Sequence, residues 1–504
     1  MAGLSFYNSL SRQKETFQSI IPNRVGMYVC GPTVSGESHL GHARPFITFD
    51  IVYRYLKHLG YQVRYVRNIT DAGHFEEEGR ESEDKISTKA ILEKMEPMEL
   101  VQKYTNMFHW AMKEFNNLEP SIEPTATGHI VEQVVMIEKI IADGYAYVAN
   151  GSVYFDVEKY HADFGAKGMQ YGILSGRVLE DQLETTRELD SQDEKRHKFD
   201  FALWKNAAPE HIMQWKSPWG MGFPGWHIEC SAMSTKYLGK EFDIHGGGMD
   251  LQFPHHECEI AQSVVCNHHI PAKFWLHNNM ITINGRKMGK SYNNVIKLSE
   301  LFSGKHEILT QAYSPMTVRF FILQTHYRST LDFGNEALQA SEKGLRRMWD
   351  AFLQLKRIDS NSSANIEPQD PELEKHCLGI LSSLDDYMND DLNTAKVLAG
   401  LFELVPIINS IKDGHIKENA LSSSIINLMK KQFNVYLVEV FGLKDEQKND
   451  DKKLSSVLEL IADIRKDARV KKDFATSDKI RNQLLEAGIQ LKDEKNGTVS
   501  WEFI

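Results

Sequence analysis

The sequence predicts an α/β protein: a doubly wound, parallel-sheet domain carrying an insertion, then an α-helical bundle, then a small α+β unit at the C-terminus. Three observations predict it. Residues 25–70 run strand, loop, helix, strand, the grammar of a parallel sheet. After about residue 333 the pattern changes to long amphipathic helices. The chain has 504 residues, more than one hydrophobic core organises, so two to four domains are expected.

In chain order, "VGMYVC" (25–30) is a short apolar run fit for a buried strand. "GPTVSGES" breaks it with Gly, Pro and Ser. From His39 onward, Phe46, Phe49, Val52, Tyr53, Leu56 and Leu59 recur at three- and four-residue steps, and Gly60 stops the helix. "YQVRYVRNIT" (61–70) alternates as a second strand. Sheets of this kind bind ligands at the carboxyl ends of their strands, where Cys30, "SHLGH" and Thr70 fall. Residues 76–84, "EEEGRESED", form an acidic surface stretch, and a helical signal runs from about 86 to 144. Residues 172–218 are mixed and insertion-like. The sheet returns at "EFDIHGGGMD" (241–250) as a strand, a glycine loop and then the helix that holds "DLQFPHHECEIAQ" (250–262). "ITINGRKMGKS" (281–291) is a hairpin turning at Asn284-Gly285, followed by a basic loop. Leu338, Leu345, Trp349, Phe352 and Leu355 open the bundle at helical spacing, and "KDEQKNDDKK" (444–453) is a charged linker. The expected domains are a Rossmann-like domain over 1–330 with an inserted region at about 95–220, a helical bundle over 331–443, and a small C-terminal domain over 446–504.

Composition narrows the class. The chain is 41% hydrophobic and 25% charged, ordinary for a globular protein. Its start carries no apolar run ahead of a cleavage site, and no apolar segment suggests a membrane span, so a cytoplasmic protein is expected. Five scattered cysteines argue against a disulfide framework, and with no CxxC pair any metal site must be assembled from distant segments. The net charge of −11, from 58 basic and 69 acidic residues, argues against a general positive coat for nucleic acid but leaves room for a local basic patch.

Three motifs carry chemistry. "HLGH" (39–42) sets two histidines at i and i+3 around a glycine at a helix start. The imidazoles and the free N–H groups there suit phosphate oxygens, and Gly41 leaves room for a flat base; a plain surface pair is the alternative. "GRKMGKS" (285–291) carries Arg286, Lys287 and Lys290 on a loop able to close over a triphosphate, or else is a solvated basic turn. "HGGGMD" (245–250) lets backbone pack against a nucleotide, with Asp250 reaching a ribose hydroxyl, or is a flexible loop.

Together "HLGH" and "KMGKS" resemble the HIGH and KMSKS signatures of class I aminoacyl-tRNA synthetases. With "MYVCGPTV", "RNITD", "DFALWK", "SPWG", "PGWHIECSAM", "FDIHGGGMDLQFPHHE", "DDLNTAKVLAGLF" and "ADIRKDARVKKDFATSDKIR", the chain resembles the cysteinyl-tRNA synthetases nearly end to end. It departs from them in Gly289, where the family usually has serine, in Phe223, where a basic residue is common, in Cys258, where asparagine is frequent, and in the longer acidic stretch after "RNITD".

The resemblance implies a two-step reaction. Cysteine and ATP give cysteinyl-adenylate and pyrophosphate, with Mg²⁺ sharing the charge, and the terminal adenosine of tRNA(Cys) then takes the cysteinyl group. It implies phosphate stabilisation by His39 and His42, and β- and γ-phosphate contacts from Lys287 and Lys290. Gly41, His245, Gly246, Gly247, Gly248, Asp250 and Lys290 are implied around ATP and the adenylate, with Thr70 and Trp226 lining the cysteine pocket. Helical spacing puts His255 and Glu259 on one face, turns His256 away by about 100° and sets Glu257 nearly opposite. The resemblance selects the same two and adds Cys30 and Cys230, a Cys2HisGlu set for one Zn²⁺ per chain. Cys258, Cys266 and Cys377 are then small buried hydrophobes. Shape alone separates cysteine from serine by only ~1–3 kcal/mol, so a soft metal that binds the substrate sulfur as thiolate is the expected selector. Residues 462–481 carry seven basic and four acidic side chains, a net +3, and the resemblance marks this end as anticodon-binding. A monomer is expected. The rival readings are a cysteine ligase acting on an amino-sugar and a non-catalytic tRNA-binding relative.

Overall fold

A computed structural model describes residues 3–72, 90, 95–177, 194–208, 211–289, 292–358, 368–471, 473–486, 489–493 and 499–503. The acidic stretch 76–84, Lys290 and Lys472 lie outside the described residues. The chain divides into two compact units, Met1–Leu443 and Lys444–Ile504.

The first unit begins with a hairpin, β1 (Ser5–Asn8) and β2 (Gln13–Thr16), and enters the main sheet at β3 (Arg24–Val29). Helix α1 (Leu40–His58) returns the chain to β4 (Gln62–Arg67), parallel to β3. Gly60, at φ +91°, is the left-handed residue just past the helix end. The helical signal of 86–144 is two helices, α2 (Pro97–Glu114) and α3 (Ile130–Ala142). Pro120 and Pro124, with Asn116 at φ +57°, break it. β5 (Ala146–Ala149), β6 (Ser152–Phe155), α4 (Val157–Gly165), β7 (Phe201–Asn206), β8 (Trp215–Ser217) and β9 (Gly220–Pro224) follow. Their strands form an antiparallel sheet in the order β5-β6-β7-β9-β8. The main sheet resumes with α5 (Trp226–Leu238), β10 (Phe242–Gly248), α6 (Glu257–Asn267) and β11 (Ala272–Asn278). Its order is β11-β10-β3-β4, all parallel, so "HLGH", Thr70, Asp250 and the second signature leave the same carboxyl edge.

A correction falls in β10. The three glycines are the end of a fully buried strand, not a loop. A side chain at Gly246 would sit 2.2 Å from the Phe49 ring, and one at Gly247 2.8 Å from His256. The strand thus needs bare backbone where α1 and the following turn press against it.

The second signature rides on β12 (Ile281–Ile283) and β13 (Arg286–Lys287), with Asn284 and Gly285 both at positive φ in the turn. After α7 (Leu298–Ser303) and α8 (Pro315–Leu323), β14 (Leu331–Phe333) pairs parallel to β12. The helices α9 (Asn335–Arg357), α10 (Pro371–Asn389), α11 (Thr394–Lys412) and α12 (Ser423–Phe433) follow. By length and composition α11 is apolar enough to cross a membrane, contrary to expectation, yet Val397, Leu401, Leu404, Val405 and Ile408 are buried in the bundle core. The second unit is α13 (Gln447–Val470), α14 (Phe474–Glu486) and the hairpin β15 (Ile489–Asp493) with β16 (Val499–Phe503).

Two buried arginines fix α1. The Arg44 guanidinium donates to the carbonyls of Met280 (2.6 Å), His326 (3.3 Å) and Ser329, binding the helix to the root of β12. Asp50 accepts from Arg54 (2.7 Å), from Arg319 and from the Leu118 N–H (2.8 Å). Arg319 also donates to the carbonyls of Phe441 (2.6 Å) and Phe115 (2.9 Å) and to Asn117 Oδ1 (2.6 Å).

Candidate active site and metal centre

At the start of α1 the His39 and His42 rings stack, with centroids 3.7 Å apart. The His39 backbone N–H donates to His42 Nδ1 at 3.3 Å, which leaves the His42 ring proton on Nε2. Burial, reinforced by His39, pushes His42 down to about 3, so its imidazole is neutral. The two signatures touch. A side chain on Gly41 would meet Met288 Cε at 2.5 Å, so the methionine of "KMGKS" rests on the glycine of "HLGH". Leu40 N–H donates to Ile296 O (2.9 Å) and Leu298 N–H to Ser38 O (2.9 Å), lacing the segment between the loop and α7 to the start of α1. Asn294, which sequence reasoning missed, clamps the loop by accepting from Gly289 N–H (2.8 Å) and donating to Lys287 O (3.1 Å). Lys287 and Asp250 are exposed.

Deeper in the cleft, Cys30 follows β3, Cys230 lies in α5, His255 lies in the turn before α6, and Glu259 lies in its first turn. All four are buried, and their donor atoms lie within 4.8 Å of one another. Cys30 Sγ is 3.7 Å from Cys230 Sγ and 3.7 Å from Glu259 Oε1, and His255 Nε2 is 3.2 Å from that same oxygen. A tetrahedron built on ordinary zinc bond lengths has edges of about 3.8 Å for S–S, 3.6 Å for S–O and 3.4 Å for N–O. The three observed spacings match. Burial pushes both thiols up and Glu259 adds to the rise, so holding thiolates here takes a cation between them.

A second group, Cys30, His245, His256 and Glu259, also falls within 4.8 Å. Its spacings are those of hydrogen bonds: His256 Nε2 to Cys30 Sγ 3.3 Å, His245 Nε2 to Glu259 Oε2 2.9 Å. It also offers one thiolate where the first set offers two. The Cys2HisGlu set fits zinc better, and His245 and His256 sit as partners of its members.

This placement corrects two expectations. His256, one residue step off the face of His255 and Glu259, still reaches the cluster, its Nε2 lying 3.3 Å from Cys30 Sγ. His245 does not face a nucleotide cleft. Its ring is fully buried, stacked on Trp275 at 4.5 Å, and bonded to Glu259. Glu257 points elsewhere, accepting backbone N–H groups of Leu174 (3.4 Å) and Ser175 (3.0 Å). Cys258 meets the Tyr171 hydroxyl at 3.4 Å and belongs to neither group.

Around the cluster, Trp226 sets its ring 4.4 Å from that of His255, and Thr70 donates its hydroxyl to Glu229 at 3.1 Å. Asn68 Oδ1 accepts the Gly31 N–H at 2.9 Å and lies 3.7 Å from Cys230 Sγ. A side chain at Gly31 would overlap the Asn68 carbonyl at 1.5 Å, so only glycine joins the two loops this closely. His277 Nε2 is 2.8 Å from His256 Nδ1, and its Nδ1 is 2.8 Å from Ser9 Oγ. Sequence reasoning missed Asn68, Glu229, His277 and also His227, whose Nδ1 lies 3.0 Å from His255 Nδ1; the available signal was a polar residue in an otherwise apolar buried run, as in "KFWLHN". In the second unit Arg465 is buried, so the basic segment offers less free charge than its composition suggested.

Residues 16–343 match the family described as tRNA synthetases class I (C) catalytic domain, and residues 384–445 match the DALR domain. Cysteine--tRNA ligase of Porphyromonas gingivalis is 54% identical over 98% of both chains, and that of Chlorobaculum tepidum 44% identical over 99% of this chain and 98% of its own. Among solved structures, Mycobacterium tuberculosis methionyl-tRNA synthetase in complex with methionyl-adenylate superposes with a TM-score of 0.56 at 12% identity, covering 83% of this chain and 89% of its own. A LeuRS–tRNA–LeuAMS ternary complex from Agrobacterium radiobacter gives 0.57 at 11% identity, covering 84% and 85%. These structures share the fold.

Proposed function

The chain belongs to the class I aminoacyl-tRNA synthetases, in the cysteine branch, and from that premise we propose how its residues divide the work. It is an ATP-dependent cysteine--tRNA ligase, forming cysteinyl-adenylate and passing the cysteinyl group to tRNA. The amino-sugar ligase and the non-catalytic relative lose ground, because relatives named as tRNA ligases align over 98% of both chains.

As the cysteine carboxylate attacks the α-phosphate, charge builds on the phosphoryl oxygens. His42, neutral and protonated on Nε2, donates an N–H to it without adding a cation, and His39 stacks to hold that ring. Gly41 adjoins the base, which reaches it once Met288 swings aside. Lys287 and Lys290 bear the charge of the β- and γ-phosphates, with Mg²⁺ as substrate partner. The backbone of Gly246, Gly247 and Gly248 and the carboxylate of Asp250 frame the adenylate. Trp226 and Thr70 border the cysteine side chain. Cys30, Cys230, His255 and Glu259 hold zinc, which when bound supplies a soft centre favouring a thiolate over a hydroxyl. A cytoplasmic monomer accompanies this reading.

The observation that carries the selectivity is the 3.7 Å separation of two buried thiols with a carboxylate and an imidazole closing the set. ATP–pyrophosphate exchange with cysteine and with serine, followed by tRNA charging, tests it. Cysteine alone should support both; exchange with serine at a comparable rate would overturn the selection mechanism.

A further inference from the structure

A cavity of about 640 Å³ lies between the loop joining β1 to β2 and the segment that follows α4. Its polar lining includes Arg12, Arg177, His161 and Gln170, and no carboxylate lines it among the described residues. Neither guanidinium has an ion-pair partner among the described residues. Arg177 lies 4.4 Å over the Phe253 ring, and Arg12 lies against Gly176, where a side chain would come within 2.1 Å of Arg12 Nη2. His161 Nδ1 is buried without a hydrogen-bond partner among the described residues. Both arginines are exposed at the cavity, and a multivalent oxyanion there could accept from them and from the unpartnered ring nitrogen together.

Both walls are bonded to the segment that carries the metal-centre histidines. On one side Ser9 Oγ meets His277 Nδ1 (2.8 Å), and His277 meets His256 (2.8 Å). On the other, Ser175 N–H donates to Glu257 (3.0 Å), and Gln252 Nε2 to Leu174 O (2.9 Å). The cavity therefore lies by the carboxyl end of β11, next to the amino-acid cluster. The triphosphate groups proposed above lie elsewhere, on α1 and the second-signature loop.

We infer that this cavity is a phosphate subsite for the acceptor strand of tRNA, Arg12 and Arg177 gripping backbone phosphate and His161 completing the donors; the inference rests on the tRNA-ligase reading above. Phosphodiesters are the anions such a ligase must seat beside its aminoacyl site, and forked guanidinia match their oxygens.

The test uses full-length Arg12→Gln, Arg177→Gln and the double variant. Cysteine-dependent ATP–pyrophosphate exchange should stay within about twofold of wild type, which also reports a folded catalytic unit, since neither side chain reaches the adenylate groups. kcat/KM for tRNA should fall about tenfold per arginine, equally on a hairpin comprising only the acceptor stem. The log–log salt dependence should flatten by about one per arginine. Arg12→Lys and Arg177→Lys should keep most of the charging activity, and they read the same contact if a glutamine variant does not fold. Unchanged tRNA parameters at every salt concentration would overturn the assignment. So would exchange falling as far as charging, or weakened inhibition by pyrophosphate, which would assign the cavity to the small anion. A wild-type protein that fails to charge tRNA would instead defeat the functional reading itself.

Discussion

His245→Asn separates two roles for one residue. The motif "HGGGMD" suggests a nucleotide contact, whereas the folded chain puts the ring beneath the metal cluster. His245 Nε2 bonds Glu259 Oε2 at 2.9 Å, while the other carboxylate oxygen, Oε1, faces His255 at 3.2 Å and Cys30 at 3.7 Å. The histidine thus sets which oxygen points inward. Losing such an outer partner costs about 10–100-fold in metal affinity, or about 1.4–2.7 kcal/mol. Asparagine puts its amide where the imidazole has Nδ1, short of Glu259; glutamine extends it to the place of Nε2. Zinc retained after dialysis against graded chelator, read by elemental analysis, should fall about 10–100-fold in His245→Asn and largely return in His245→Gln. Wild-type retention in His245→Asn together with a raised KM for ATP would refute the reasoning and restore the nucleotide role.

Three other perturbations have worked outcomes. Arg319→Met strips a fully buried cation from Asp50 and three further acceptors, which costs about 3–5 kcal/mol. Spread over the unfolding entropy of the 443-residue unit, that lowers Tm by about 3–5 °C in calorimetry, and a shift under about 1 °C would contradict the accounting. Gly41→Ala forces the Met288 methyl from 2.5 Å and presses His39 Cε1 at 3.0 Å. That methyl ends a flexible, half-exposed side chain that swings aside, so the strain falls mainly on His39, about 1 kcal/mol at the low end of overpacking, and should slow exchange roughly fivefold. His277 is held near 3 by burial, then by His245, against about 6.5 in the unfolded chain. The unfolded state binds the extra proton, so the stability His277 confers is whole above pH ~6.5 and drains as pH falls toward 3, by about 1.4 kcal/mol at pH 5.5. Unfolding free energies from urea titrations at pH 7.5 and 5.5 should differ by about that much less in His277→Gln than in wild type.

Periodicity alone found the parallel sheet, the first helix and the bundle, because each buries one continuous apolar face. It failed where tertiary contact overrides local preference. Three consecutive glycines look like a loop, yet Phe49 and His256 need the bare strand there. The 100° step takes His256 off the face of His255 and Glu259, yet Cys30 approaches closely enough to meet both His256 and Glu259, which no helical period encodes. His255 and Glu259 were legible because one turn of regular spacing survives between them. His277 and Asn68 were not, because a single polar residue in a strand or loop has no period, and its role depends on a partner roughly 20 or 160 positions away.

The placement of the two signatures depends on polar residues inside α1 more than on its apolar face. Apolar packing fixes a helix to a face but leaves it free to slide, since the hydrophobic effect has no direction. Hydrogen bonds do have one. Arg44 fixes α1 lengthwise against the carbonyls of Met280, His326 and Ser329 at the root of the second-signature hairpin. About 1.7 turns later Asp50 fixes it again, through Arg319, to Phe115 and Phe441. With both ends of the span pinned, Gly41 meets Met288 in one register only. This explains why residues without a plausible substrate contact, such as Arg44, should affect adenylate formation: a shift of α1 by one ångström carries His39 and His42 off the phosphate together, and misplacement of that size costs about 10²-fold in rate.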